Sequence, residues 1–242
     1  DDTRNREILR KVADKCYLPM NQLLLRLIRQ HRGQFKVGFS VSGTALEQFE
    51  AYAPEVIESF QQLARTGCVE FLAETYHHSL SFVFDREEFD TQVEAHVAKI
   101  EELFGQRPQV FRNTELIFNN DSAAHISAMG FSGVLAEGVD RVLSWRSPNF
   151  LYRAKGEPGI KLLLKNYRLS DDIAFRFSDP AWAEHPLTAE KYAHWVGASN
   201  GSGDVINLFM DYETFGEHQW AETGIFEFVA KLPEEILRHP DN

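Results

Sequence analysis

Three polar clusters in this 242-residue chain combine carboxylates with imidazole or guanidinium groups: Glu74–Ser79 (ETYHHS), Arg112–Leu116 (RNTEL) and Asp211–His218 (DYETFGEH). Each begins where a short apolar run ends: VEFLA, VF and NLFM. Carboxylates carried to one place by separate segments are what glycoside hydrolysis requires. One attacks the anomeric carbon or activates water, and the other, kept protonated, donates to the leaving oxygen. Glu115 with either Asp211 or Glu213 supplies such a pair. Residues two apart on an extended segment point the same way, so Asp211 and Glu213 can both face the site. Arg112 favours an ionised Glu115, as a nucleophile needs. A carboxylic acid beside another carboxylate tends to hold its proton, which suits Asp211 as the acid.

The same residues have plainer readings. Glu115 alone fits a helix start facing a macrodipole, and Asp211 alone fits a cap for the turn after it. His77 and His78 fit hydrogen-bonded rim histidines, because no HxH or HExxH spacing accompanies them. No metal or cofactor is expected. His218 and Trp220 fit the first turn of the last helix, and Trp145, Tyr152 and Trp182 fit a partial core. Loop aromatics also stack on sugar rings, which keeps Trp145 and Trp220 among the substrate-binding candidates. Coincidence favours function: three clusters end three predicted strands, and parallel α/β folds bind ligands at the C-terminal ends of their strands.

Six strands position these clusters. Apolar, β-branched runs predict Phe35–Gly43, Cys68–Ala73, Val110–Arg112, Gly133–Ala136, Ile160–Lys165 and Val205–Met210. Helical spacing predicts two helices over Arg4–His31, divided by Pro19, and one from a Thr44 cap to Thr66 with Gly67 as its stop. Further helices are expected at Arg86–Phe104, Ser122–Met129, Asp171–Phe177, Ala189–Ser199 and Ala221–Leu232. Val139–Pro158 reads as a long loop and Asn200–Asp204 as a polar linker within one domain. Strands separated by helix-length segments indicate a parallel sheet in an α/β fold.

The formal charge of −11, from 25 Lys and Arg against 36 Asp and Glu, argues against nucleic-acid or anionic-membrane partners. No apolar run approaches the roughly 18 residues of a spanning helix, and the charged start DDTRNREILRK has no secretory signal. Cys16 and Cys68 form no CxxC pair and are expected as buried free thiols, which fits a cytoplasmic protein. Asp1–Asp2 and Glu234–Glu235 read as solvated termini. The oligomeric state is open.

FRNTELIF (Phe111–Phe118) and MDYETFGEH (Met210–His218) resemble the third and fourth motifs of glycoside hydrolase family 57, in its α-amylase branch. CVEFLAETYHHSL (Cys68–Leu80) is similar to the second, and RNREILRKVADKCYLPMNQLLL to the segment after the first. The resemblance implies an incomplete (β/α)7 barrel of parallel strands, related to the polysaccharide deacetylase-like barrels. It also implies a retaining mechanism on an α-glucan or maltooligosaccharide. By the same resemblance Glu115 is the nucleophile and Asp211 the proton donor, while Glu74, His77, Arg112, Glu213 and His218 orient sugar hydroxyls or the catalytic pair. The family's first motif, a His-Gln-Pro, is absent, and the chain ends at Pro240–Asn242, before the fifth. The expected organisation is therefore one catalytic barrel domain, residues 1–242, trimmed at both ends from a longer chain. Its six strands are the family's seven without the first, which leaves an unpaired sheet edge. Three alternatives stand beside hydrolysis: a 4-α-glucanotransferase or branching enzyme on the same site, a metal-dependent polysaccharide deacetylase using His77 or His78 with Asp211, and an inactive carbohydrate-binding domain.

Overall fold

The computed structural model describes residues 2–239, with backbone only at 157 and 158; Asp1 and Pro240–Asn242 lie outside the described residues. The first expected helix pair is one rod with a bulge. Helix α1 (Asp2–Val12) runs through a π-helical turn, Ala13–Tyr17, into α2 (Leu18–Gln30). Pro19, in the first turn of α2, has no N–H to donate to the carbonyl four residues back, that of Lys15. The expected helix over residues 44–66 divides at Ala53, because the residue before Pro54 is pushed out of the helical region. Its parts are α3 (Gly43–Tyr52), capped by the Ser42 hydroxyl rather than by Thr44, and α4 (Pro54–Ala64).

Strand β1 (Val37–Phe39) pairs in parallel with β2 (Val69–Phe71). After the short α5 (Ser81–Phe84), helix α6 (Arg86–Phe104) has the expected bounds. The Asp85 carboxylate accepts from the Glu87 and Glu88 amides, and Gly105 leaves the helix at φ 66°, as a left-handed stop does. Then come β3 (Val110–Arg112), α7 (Asn120–Ala128), β4 (Gly133–Glu137), α8 (Asp140–Leu143), β5 (Tyr152–Ala154), β6 (Glu157–Lys165), α9 (Tyr167–Ala174), α10 (Ala189–Gly197) and α11 (Ile225–Leu237). Glu234 and Glu235, expected at a solvated terminus, lie within α11 and pair with Arg238.

The second sheet has the order β3-β4-β6-β5. Ala73 joins it to β2, accepting from the Arg112 amide at 2.8 Å and donating to Val110 O at 2.9 Å. The parallel strands thus follow one another around an arc in chain order. Two expectations are corrected here. Tyr152–Ala154, placed in a loop, forms a hairpin with β6 through a turn containing Gly156 at φ 84°. Val205–Met210, expected as a strand, makes a single bridge, Lys165 to Asn207. Beyond that bridge, the Val205 amide donates to Asn149 O, the Phe209 amide to Ser170 Oγ, and the Asn207 side-chain amide to Leu164 O, so no strand ladder forms. Among the described residues no strand joins this segment to β1. The arc is an incomplete parallel barrel.

One apolar core packs β1 and β2 against α2, α3, α4 and α11; a second packs β3, β4 and β6 against α6 and α7. Phe71 stacks on Phe104 with centroids 4.0 Å apart. These cores fix the strand ends that lead to Ser40, Glu74 and Arg112, and hold Met210, next to Asp211, toward the same rim. Cys16 is buried and Cys68 half-buried, and both are free. No described helix is long and apolar enough to cross a membrane.

Candidate active site

Glu115 stands just past the end of β3 on a tight turn, Thr114–Leu116, with φ 53° and ψ 25°. A left-handed conformation costs a non-glycine residue about 1–2 kcal/mol, so something must hold it. The Thr114 hydroxyl donates to Ser79 O at 2.8 Å and lies 3.2 Å from the Thr75 hydroxyl, while the Asn113 amide donates to Ile117 O. These bonds fasten the turn to the loop after β2. The Glu115 side chain is left 74% exposed and lines the cleft, with the His78 ring beside it.

Glu74, at the end of β2, is the buried counterpart. Ser40 Oγ donates to Glu74 Oε1 at 2.6 Å; His78 Nδ1 lies 3.0 Å and Arg112 Nη1 3.5 Å from Oε2. Burial alone would raise this carboxyl. The hydrogen bonds from His78 and Ser40 and the Arg112 charge outweigh it and hold Glu74 below the ordinary range. The bond to Glu74, opposed by burial, raises His78 above the usual histidine value. The His78 Nε2 is 3.2 Å from Glu115 Oε1.

Asp211 opens the turn Tyr212–Thr214 without capping it by its side chain, so its carboxylate has no local structural task. The π-helical turn holds this loop from below. Tyr17 donates its hydroxyl proton to Glu213 Oε1, Cys16 donates to Tyr212 O, and the Tyr212 hydroxyl donates to Asn21 Oδ1. Burial, then the Glu213 charge, pushes Tyr17 well above the usual phenol range, so it stays a donor. Gly216, at φ 120°, packs against the Lys15 carbonyl, the same group that Pro19 cannot serve. A Cβ there would collide with that oxygen. Gly216→Ala is therefore expected to cost about 2 kcal/mol or more, read as a lowered thermal unfolding midpoint, and to depress activity through the Asp211 loop.

A cleft of about 710 Å³ is lined by Glu74, His78, Arg112, Glu115, Asp211 and Glu213, and continues down between β1 and 206–210. A recess of about 200 Å³ adjoins it, lined by Glu137, Lys165, Asp171, Phe175 and His218. Arg112, Glu115 and Asp211 line both cavities. The two carboxylates therefore stand where the two spaces meet.

The other sequence candidates are placed differently. His77 turns toward Thr44, 3.3 Å from its hydroxyl, and stacks edge-on with Tyr76 outside the cleft lining. Trp145 is 89% exposed and Trp220 60% exposed, and neither lines either cavity; Trp220 lies under the Lys15 ammonium. His78, read from sequence as a rim histidine, is the imidazole that reaches both Glu74 and Glu115. Adjacent histidines differ only in backbone direction, and His78 sits at φ 53°. Ser40 and Tyr17 carried no sequence signal of their own. Among the described residues no three His, Cys, Asp or Glu side chains converge as a metal-ligand set.

The model of glycosyl hydrolase family 57 matches residues 1–241. The chain is 50% identical, over 99% of its length, to the "Putative alpha-amylase" of Methanocaldococcus jannaschii, and spans 50% of that protein's length. Among solved structures it resembles the 4-alpha-glucanotransferase of Thermococcus litoralis with a TM-score of 0.76 at 17% identity, covering 97% of this chain and 35% of that one. It also resembles the "putative polysaccharide deacetylase" of Mycobacterium smegmatis, with a TM-score of 0.60 at 18% identity over 88% of this chain and 70% of that one. Those structural likenesses speak for the incomplete barrel alone. The family rests on the match along nearly the whole sequence and on the shared half of its residues with the archaeal relative: this chain belongs to glycosyl hydrolase family 57.

Proposed function

We propose that residues 1–242 form one catalytic barrel domain that cleaves α-glucosidic bonds with retention, with Glu115 as nucleophile and Asp211 as acid and base. The observation that carries this is the junction. Glu115 and Asp211, far apart in sequence, line both the cleft and the recess beside it, which leaves room for a sugar on each side of a scissile bond.

In the first step a Glu115 oxygen attacks the anomeric carbon. The bond to the leaving oxygen breaks as Asp211 gives that oxygen its proton, and a glycosyl ester remains. In the second step water, or the hydroxyl of another sugar, gives its proton to the Asp211 carboxylate and attacks the anomeric carbon, which releases Glu115. Arg112, Glu213 and His218 line the same spaces as candidates for orienting hydroxyls. The substrate class, an α-glucan, follows the family and the names of the relatives. Glu74 has three partners of its own and supports the site from beneath.

Incubation with a defined maltooligosaccharide tests the reading. Shorter products alone support hydrolysis; longer oligomers alongside them support a glucanotransferase on the same two carboxylates. Intact substrate, with binding retained, contradicts the proposal.

A further inference from the structure

The double displacement assigns no task to His78, yet His78 is the group in contact with Glu115. Its Nε2 lies 3.2 Å from Glu115 Oε1, and its Nδ1 lies 3.0 Å from both Glu74 Oε2 and Arg112 Nη1. Those two neighbours of Nδ1 have opposite needs. A carboxylate only accepts, and a guanidinium only donates. In the doubly protonated ring, Nδ1–H donates to Glu74 and Nε2–H to Glu115. In the neutral ring with its proton on Nε2, Nδ1 accepts from Arg112 and Nε2–H still donates to Glu115. The remaining tautomer would aim the Nε2 lone pair at Glu115 with no donor beside it, whereas Nδ1 has Arg112. Nδ1 is thus satisfied in either state, and the proton facing Glu115 stays where it is.

We propose that His78 is a positioning residue whose Nε2–H holds Oε1 of Glu115 in both protonation states, which leaves Oε2 as the oxygen that meets the anomeric carbon. This rests on reading Glu115 as the nucleophile. Orientation of an attacking group is worth a large rate factor when it is rigid, and His78 is rigidly anchored: Glu74, its support, is tied to β1 through Ser40 and has its own amide donating to His96 of α6. The charged and titratable groups around the imidazole are Glu74 beneath it, Arg112 and Glu115 from β3 and its turn, His96 from α6 behind Glu74, and Asp211 and Glu213 on the cleft lining. The Glu74 bond raises His78 against the effect of burial. On deprotonation the charge beside Glu115 falls but the hydrogen bond persists.

The test compares His78→Gln, whose amide N–H can still donate, with His78→Phe, which cannot. For His78→Phe, kcat on a maltooligosaccharide is expected to fall about a hundredfold with KM little changed. His78→Gln should keep kcat within about tenfold of the parent. Thermal midpoints of both variants report folding separately. A merely structural role would lower activity only in step with the folded fraction, and that result, or a glutamine variant no better than the phenylalanine variant, overturns the proposal. Labelling with a 5-fluoroglucosyl fluoride, read by peptide mass, separates the two readings. Label on Glu115 of the parent enzyme that forms equally fast in His78→Phe sinks the positioning role alone; absence of label on Glu115 of the parent sinks both.

Discussion

Glu115→Gln is expected to lower kcat at least about a thousandfold while leaving the fold and glucan binding nearly intact. The amide matches the carboxylate in volume, and Glu115 is exposed, with no structural ion pair beyond its contact with His78. The turn that carries it is held by Thr114 and Asn113, which the substitution does not touch. Under the proposed mechanism the change removes the negative oxygen that forms the glycosyl ester, and removal of a covalent nucleophile is among the most costly single changes an active site can suffer. The smaller Glu115→Gly opens space for azide, which should restore turnover and give a product of inverted configuration. Undiminished activity of the glutamine variant ends the assignment.

Asp211→Ala should show a different signature. General acid–base catalysis contributes roughly 10²–10⁴-fold, and its share depends on how much help the leaving group needs. Turnover of maltooligosaccharides should fall by that factor. Formation of the glycosyl ester from an α-glucosyl fluoride, whose leaving group needs no proton, should be nearly unaffected. Azide should here give a product of retained configuration, because it attacks the ester in place of water. Equal losses on both substrates would mean that Asp211 supports structure rather than donating a proton. Its side chain makes no capping bond to the turn it opens, which favours the chemical role.

The two carboxylates were legible because each closes an apolar run, a local signal that survives into the fold. Helix α6 was legible end to end for the same reason: Asp85 and Gly105 act within one turn of the chain. What escaped depended on partners distant in sequence. Val205–Met210 has the composition of a strand, but beyond one bridge its hydrogen bonds run singly to Asn149 O, Ser170 Oγ and Leu164 O, and periodicity carries no trace of that. β5 was hidden in a loop without a clean period and appears only because β6 pairs with it. In the site, the choice between His77 and His78 turns on one left-handed backbone residue. Tyr17 reaches Glu213 from 196 residues away through a π-helical turn.

The family and its fold stand on the whole sequence, whereas the chemistry stands on how two side chains share one junction. The configuration of the first-formed product measures that sharing most directly. Proton NMR, recorded during cleavage of an α-linked oligosaccharide before mutarotation, should show the α-anomer appearing first. A β-anomer appearing first would mean that water attacks directly, without a glycosyl ester on Glu115, and the double displacement drawn here would be wrong.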